Sequence, residues 1–139
     1  MRHLIIITLA CIFSPLFGEE DKYVFYIGGF HGPSYYVNIR GDHVLFRSGV
    51  GFNNLDISWK DIKVEKNIID SFKKEIKQIG VWDWESEYVD KNVHDGTSWS
   101  VFMKVDGKEK QIHGSNNYPS DFNKLTNLIL SLDKDIVFK

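Results

Sequence analysis

Hydrophobic and polar residues alternate with a period of two over residues 35–48, a pattern that is typical of a β-hairpin. Gly41-Asp42 stands in the middle of this stretch and favours a two-residue turn. With that turn, Ile39 is expected to face Val44, so both strands place apolar side chains on one side of the sheet.

A second alternating stretch covers residues 98–113 and contains Asp106-Gly107, a strong hairpin signal. The turn sets Lys104 opposite Glu109, a cross-strand pair of opposite charge. Two further strands are predicted at residues 23–27 and, with Trp59 pointing inward, at 56–64.

Helical periodicity marks two other segments. Residues 66–79 carry one apolar stripe and end before Gly80, the residue expected just beyond a helix C-terminus. A second helix is expected to begin near Pro119, which suits a first helical position. Its predicted buried residues are Phe122, Leu125, Ile129 and Leu132.

These elements predict an α+β domain. Because hairpins pair antiparallel strands, we expect an antiparallel sheet of about 4–6 strands in two hairpins, with two helices on one face. The expected order along the chain is β-β-β-(β)-α-β-β-α. The predicted domain covers residues 19–139.

The N-terminus differs in character from the rest of the chain. A basic start precedes an uncharged apolar run at residues 4–17 and then Gly18, which is typical of a secretory signal peptide over residues 1–18. The run is shorter than the ~20 residues of a membrane span. We therefore expect an exported protein, periplasmic or extracellular, with no stable membrane span after cleavage. Lipid anchoring through Cys11 is the less favoured alternative.

Composition narrows the function classes. The formal net charge is −2, whereas nucleic-acid binders usually present a basic face, so we expect no nucleic-acid partner. The single cysteine lies in the predicted signal, which makes the mature domain disulfide-free. No phosphate-loop or metal-ligand spacing occurs, and we predict neither a cofactor nor a metal site.

A catalytic constellation is also not evident. No serine stands in a Gly-x-Ser-x-Gly elbow, and no cysteine nucleophile remains after cleavage. A small envelope hydrolase would have to use His94 and Asp95, or Asp83, Glu85 and Glu87 sharing one face of an extended segment. Charged edge strands are common without catalysis, so we predict no catalytic residues.

Aromatic residues make up 14% of the chain, more than a core of this size readily buries. Exposed tryptophan and tyrosine suit protein interfaces and stacking on sugar rings. The predicted contact residues are Trp82, Trp84, Tyr88, Phe30 and His31.

One combined pattern spans residues 80–132. Trp82-x-Trp84, Tyr88, Asp95-Gly96-Thr97-x-Trp99 and Gly114-Ser115-Asn116-x-Tyr118-Pro119-x-x-Phe122 together resemble an uncharacterised group of small bacterial proteins. The resemblance implies a bacterial origin and an α+β fold. No activity is established for that group, so it assigns no catalytic or binding residue.

Three functions follow as hypotheses. The first is a non-enzymatic exported binding module that binds another protein and is inhibitor- or immunity-like. The second is a carbohydrate- or peptidoglycan-binding domain that uses exposed aromatics. The third is the envelope hydrolase.

Overall fold

The structure, a computed structural model, describes residues 20–29, 31–50 and 59–138. The predicted signal segment with Cys11, the predicted contact residue Phe30, and residues 56–58 of the predicted fourth strand lie outside these ranges. In the described residues no helix is long and apolar enough to cross a membrane.

The described residues form seven strands, two α-helices and one short 3₁₀ helix. In chain order these elements are β1 (Lys22–Gly29), β2 (Pro33–Arg40), β3 (His43–Val50), β4 (Lys60–Lys63), α1 (Lys66–Ile79), the 3₁₀ helix (Val81–Asp83), β5 (Glu87–Val89), β6 (Thr97–Val105), β7 (Lys108–Ser115) and α2 (Phe122–Leu130).

All seven strands belong to one sheet in the order β4-β3-β2-β1-β6-β7-β5. The α+β class is confirmed, but the expected count of about 4–6 antiparallel strands is too low. The additional strand is β5, which runs parallel to β7 at the sheet edge. Strand β5 has three residues, too few to show an alternating pattern. Its pairing with β7 is parallel, so no hairpin turn marks it in the sequence.

Both predicted hairpins are confirmed with their registers. Ile39 faces Val44 across the first turn, and Lys104 faces Glu109 across the second. Asp106 and Gly107 have φ values of 51° and 75°, the left-handed conformations that this turn type requires. Strand β1 then joins the hairpins, because it pairs with β2 on one side and with β6 on the other.

The two helices pack against the same face of the sheet. Phe72 of α1 meets Tyr23 of β1 edge-to-face at 5.2 Å, and Phe122 of α2 lies 6.1 Å from Phe25. Helix α1 also links the two edges of the sheet, since β4 precedes it and β5 follows the 3₁₀ helix. Its 14 residues extend about 21 Å, which covers most of the width of the sheet between β4 and β5.

The helix boundaries agree with the sequence at one helix and differ at the other. Helix α1 ends before Gly80, which adopts φ 78° and donates its N–H to Lys77 O at 3.1 Å. Helix α2 begins at Phe122 rather than near Pro119, because a separate turn, closed by Phe122 N–H to Pro119 O at 3.0 Å, comes first.

The C-terminal residues complete the helix-side core. Ile136 is buried, and Phe138 stacks on Phe25 at 5.9 Å and approaches Tyr35 at 4.8 Å. The buried apolar side chains of the described residues form one cluster between this face of the sheet and the helices. The opposite face of the sheet lies outside this cluster.

Candidate functional site

We call the face of the sheet opposite the helices the open face. No described helix covers it, and most of its side chains are half-buried. Strand alternation places both apolar and polar groups there. Its strand residues in the described ranges include Val24, Tyr26, Ser34, Tyr36, Asn38, Leu45, Arg47, Ser100, Phe102, Gln111 and His113.

Arg47 and two aromatic side chains form a compact group at one side of the open face. Tyr36 of β2 is directly opposite Arg47 of β3. The Arg47 guanidinium lies 5.3 Å from the Tyr36 ring centroid and 4.4 Å from that of Trp59, just before β4. The two rings meet edge-to-face at 5.2 Å. These cation–π contacts hold the guanidinium in a defined orientation.

Trp59 is 41% exposed, so the expectation that it points inward is wrong. The register explains this: β4 pairs Leu45 with Asp61, and side chains two residues apart share a face, so Trp59 lies on the open side with Asp61. The hairpin turn alone already implied that Tyr36 faces Arg47. The approach of Trp59 depends on a pairing that the local sequence did not reveal.

Arg47 has no carboxylate within ion-pair distance among the described residues. Its Nε is buried and has no hydrogen-bond acceptor in the described part of the chain. Other charges on this face are paired: His43 with Asp61 at 2.8 Å, and Lys104 with Glu109 at 3.2 Å. An unpaired, partly desolvated cation strongly favours an added anion.

Further polar atoms lie close by on β1 and β2. Ser34 is fully buried and its Oγ has no hydrogen-bond partner in the described part of the chain, as is true of Asn38 Oδ1. A Cβ on Gly28 would lie 2.2 Å from Ser34 Oγ and 2.7 Å from the Tyr26 hydroxyl oxygen. Gly28 thus makes room for both groups. Each unsatisfied buried polar atom costs about 1–3 kcal/mol.

His43 shows the main electrostatic perturbation on this face. The hydrogen bond to Asp61 raises the pKa of His43 above its ordinary value of 6.5, and the charges of Asp61 and Asp42 act in the same direction. This exposed pair connects β3 to β4, whose preceding residue is Trp59. Protonation of His43 therefore strengthens a contact next to the Arg47 group.

The sequence-predicted contact residues Trp82, Trp84 and Tyr88 lie elsewhere. All three are half-buried and pack against the core. Lys110 Nζ donates hydrogen bonds to the backbone carbonyls of Trp82 and Trp84 at 2.6 and 2.5 Å. The Tyr88 hydroxyl accepts the Glu85 N–H at 3.0 Å. These contacts give the three residues a structural role.

His31 is exposed and lines a surface cavity of about 450 Å³. The cavity lies between the β1–β2 connection and the loop before β6, which contributes Asp95 and Gly96. Trp82, Trp84 and Tyr88 do not line it. The structure thus brings three of the predicted contact residues to one region and His31 to another.

The sequence pattern of residues 80–132 converges in space on Trp99, which is 1% exposed. Its indole lies 4.7 Å from Phe122, 5.8 Å from Tyr88 and 6.1 Å from Tyr118. Its Nε1 donates to Asn117 O at 2.9 Å. The spacing of these residues is accounted for by packing and hydrogen bonding around one buried indole.

The acidic residues proposed for a hydrolase do not share an extended face. Asp83 belongs to the 3₁₀ helix, and strand β5 begins only at Glu87. Asp83, Glu85 and Glu87 are all exposed, and Glu87 lies 3.8 Å from His113. In residues 20–29, 31–50 and 59–138, no three His, Cys, Asp or Glu side chains are grouped as metal ligands would be.

Comparison with known proteins adds no family assignment. No protein-family model matches this chain, and no curated protein is significantly similar to it.

Proposed function

We propose that this protein is a non-enzymatic, exported binding module whose open face docks another protein, in the manner of an inhibitor or immunity protein. The observation that carries the proposal is the Arg47 group, in which a guanidinium lies against Tyr36 and the exposed Trp59, with no counter-ion from the residues that the structure describes. Arginine, tyrosine and tryptophan are the residues most enriched at energetic centres of protein interfaces.

The surroundings of the Arg47 group have the same character. Val24, Leu45 and Phe102 add half-buried apolar surface, and Tyr26 adds a further aromatic ring. The five strands of eight or nine residues, at about 4.8 Å spacing and each about 26 Å long, give a projected area of about 600 Å². That approaches the ~800 Å² that each partner contributes to a standard interface.

The cavity at His31 remains a predicted contact surface, as does the separate region of Trp82, Trp84 and Tyr88. The half-burial of its aromatics and their contacts with the core make it a weaker candidate. Comparison of Trp59→Ala with Trp84→Ala distinguishes the two regions, since only the first removes a side chain that is largely outside the core.

The test is capture of a partner from the envelope or culture medium of the source cells by the immobilised protein. We expect a protein that wild type retains and Trp59→Ala loses. Val93→Ala is the matched control, because Val93 is also 41% exposed but lies in the loop before β6. Equal retention by Trp59→Ala and wild type, or no retained protein at all, would contradict docking at the open face.

Glycan binding is the second candidate, favoured by the exposed ring of Trp59. Arg47 lies over that ring, so a sugar would have to stack on its other side or displace the guanidinium. Titration with peptidoglycan fragments should then change Trp59 fluorescence, measured as the difference between wild type and Trp59→Phe. An unchanged difference spectrum up to millimolar glycan removes this candidate.

A further inference from the structure

Among the described strand residues of the open face cations outnumber acids, although the whole chain is acidic with a formal net charge of −2. The strand residues of the open face include three acids, and all three are engaged by histidine or lysine on the same face. The cations are Lys22, Arg40, Arg47, Lys63 and Lys104, and the acids are Asp61, Glu87 and Glu109. Asp42 pairs with Lys63, and Glu20 lines the same surface depression as Lys22 and Arg40, so the charge argument depends on Arg47.

Arg47 differs from the other cations in its surroundings. Lys63 lies 3.7 Å from Asp42, and Lys104 pairs with Glu109. Lys22 is placed over the Phe102 ring at 5.6 Å, with a flexible stem that reaches solvent. Only at Arg47, among these strand residues, do two aromatic rings orient a planar guanidinium whose Nε is buried without an acceptor.

Guanidinium geometry indicates what such a group would bind. Aromatic rings contact the faces of the plane, so hydrogen bonding is directed to its edges. With Nε buried, the terminal edge formed by Nη1 and Nη2 remains for a bidentate contact with a carboxylate. Stacking reduces the entropy lost when that contact forms.

We propose that Arg47 is the specificity residue of the open face and that it receives an aspartate or glutamate side chain from the protein partner. This inference rests on the proposed function, because it names the chemistry of the partner at the same surface. Tyr36 and Trp59 act as positioning residues that hold the guanidinium. The unsatisfied Ser34 and Asn38 atoms lie on the neighbouring strand, β2.

Poly-L-glutamate serves as the probe, and NMR of the full chain provides the readout. Outside the predicted signal the chain contains two arginines, Arg40 and Arg47, so their Nε–H signals can be assigned by substitution. We expect poly-L-glutamate to shift the Arg47 Nε–H and Trp59 indole signals. Arg47→Lys should weaken binding about tenfold, because lysine keeps the charge but loses the fork geometry.

Arg40→Lys is the matched control, since Arg40 lies on the same face and is exposed. It should change the affinity less than about twofold. An unchanged Arg47 Nε–H signal at millimolar glutamate residues overturns the proposal even if Arg47→Lys fails to fold. Equal weakening by both substitutions also overturns it, because that indicates diffuse charge attraction.

A further arm uses oligo-deoxythymidylate at the same ionic strength. Arg47-dependent binding that is tighter than that of poly-L-glutamate would overturn the choice of a protein carboxylate. The inference and the proposed function fail separately. If the captured partner depends on Trp59 but binds Arg47→Lys as well as wild type, docking at the open face stands and carboxylate recognition by Arg47 does not.

Discussion

Gly114 of β7 lies directly opposite Trp99 of β6, and the Trp99 indole occupies the space that a side chain at position 114 would need. A Cβ there would come within 2.3 Å of the indole. The glycine in the Gly114-Ser115-Asn116 pattern is thus required by packing, and it allows the central tryptophan of the aromatic cluster to be buried.

Gly114→Ala should therefore destabilise the domain. The indole cannot yield easily, because it is fixed by a hydrogen bond to Asn117 O and by Phe122. We expect a loss at the upper end of the ~1–3 kcal/mol typical of overpacked cores, measured by urea unfolding. Gly32→Ala is the control, since a Cβ there meets no described atom within 4 Å. Equal stability of the two variants would contradict this role of Gly114.

Asn116 forms a second structural contact in the Gly114-Ser115-Asn116 segment. It adopts φ 54°, and its Oδ1 accepts the Thr97 N–H at 2.9 Å. Asn116→Ala should cost about 2 kcal/mol through the unfavourable φ and the lost hydrogen bond. Asn116→Gly loses the hydrogen bond but adopts the positive φ without strain, so it should cost about half as much. If alanine and glycine are equally destabilising at this position, left-handed strain does not contribute.

The His43–Asp61 pair predicts a pH effect at the β3–β4 edge. Because Asp61 raises the pKa of His43 in the folded state, the stabilisation is fully present below the unfolded value of about 6.5. It is lost as the pH rises through the higher folded value. NMR titration should give a His43 pKa above 6.5 in wild type and a lower one in Asp61→Asn. No difference between the two proteins would show that the pair does not form in solution.

Tyr23 predicts a second pH effect, at alkaline pH. Burial, with the charges of Asp21 and Asp106, raises the pKa of Tyr23 to about 12. The unfolded chain ionises near pH 10, so the folded state holds its proton longer and stability falls as the pH rises between these values. At pH 11 this loss is about 1 kcal/mol. Tyr23→Phe should lack it in urea unfolding at pH 9 and 11; an equal decline in both proteins would assign the loss to other groups.

Local sequence patterns predict much of the fold. Both hairpin turns and the end of α1 at Gly80 depend on neighbouring residues, and the structure confirms each of them. The position of β1 between the two hairpins and the parallel pairing of β5 depend on contacts distant in sequence. No local pattern encodes the position of β1, and the three residues of β5 are too few to show a periodicity.

The candidate site was less accessible to sequence reasoning for the same reason. Tyr36 and Arg47 could be paired through the first hairpin turn, but Trp59 joins them only through the β3–β4 pairing. The surplus of aromatics correctly indicated that some reach the surface, and Trp59 does. Trp84 and Tyr88 stood in the more conspicuous pattern, yet that pattern describes the packing around Trp99.

Site-specific photo-crosslinking in the source cells tests docking at the open face most directly. A benzophenone amino acid replaces Leu45, on the open face, or Ser71, which is exposed on α1. We predict a protein adduct from position 45 and none from position 71. Adducts from position 71 alone, or from neither position, would contradict a partner bound at the open face.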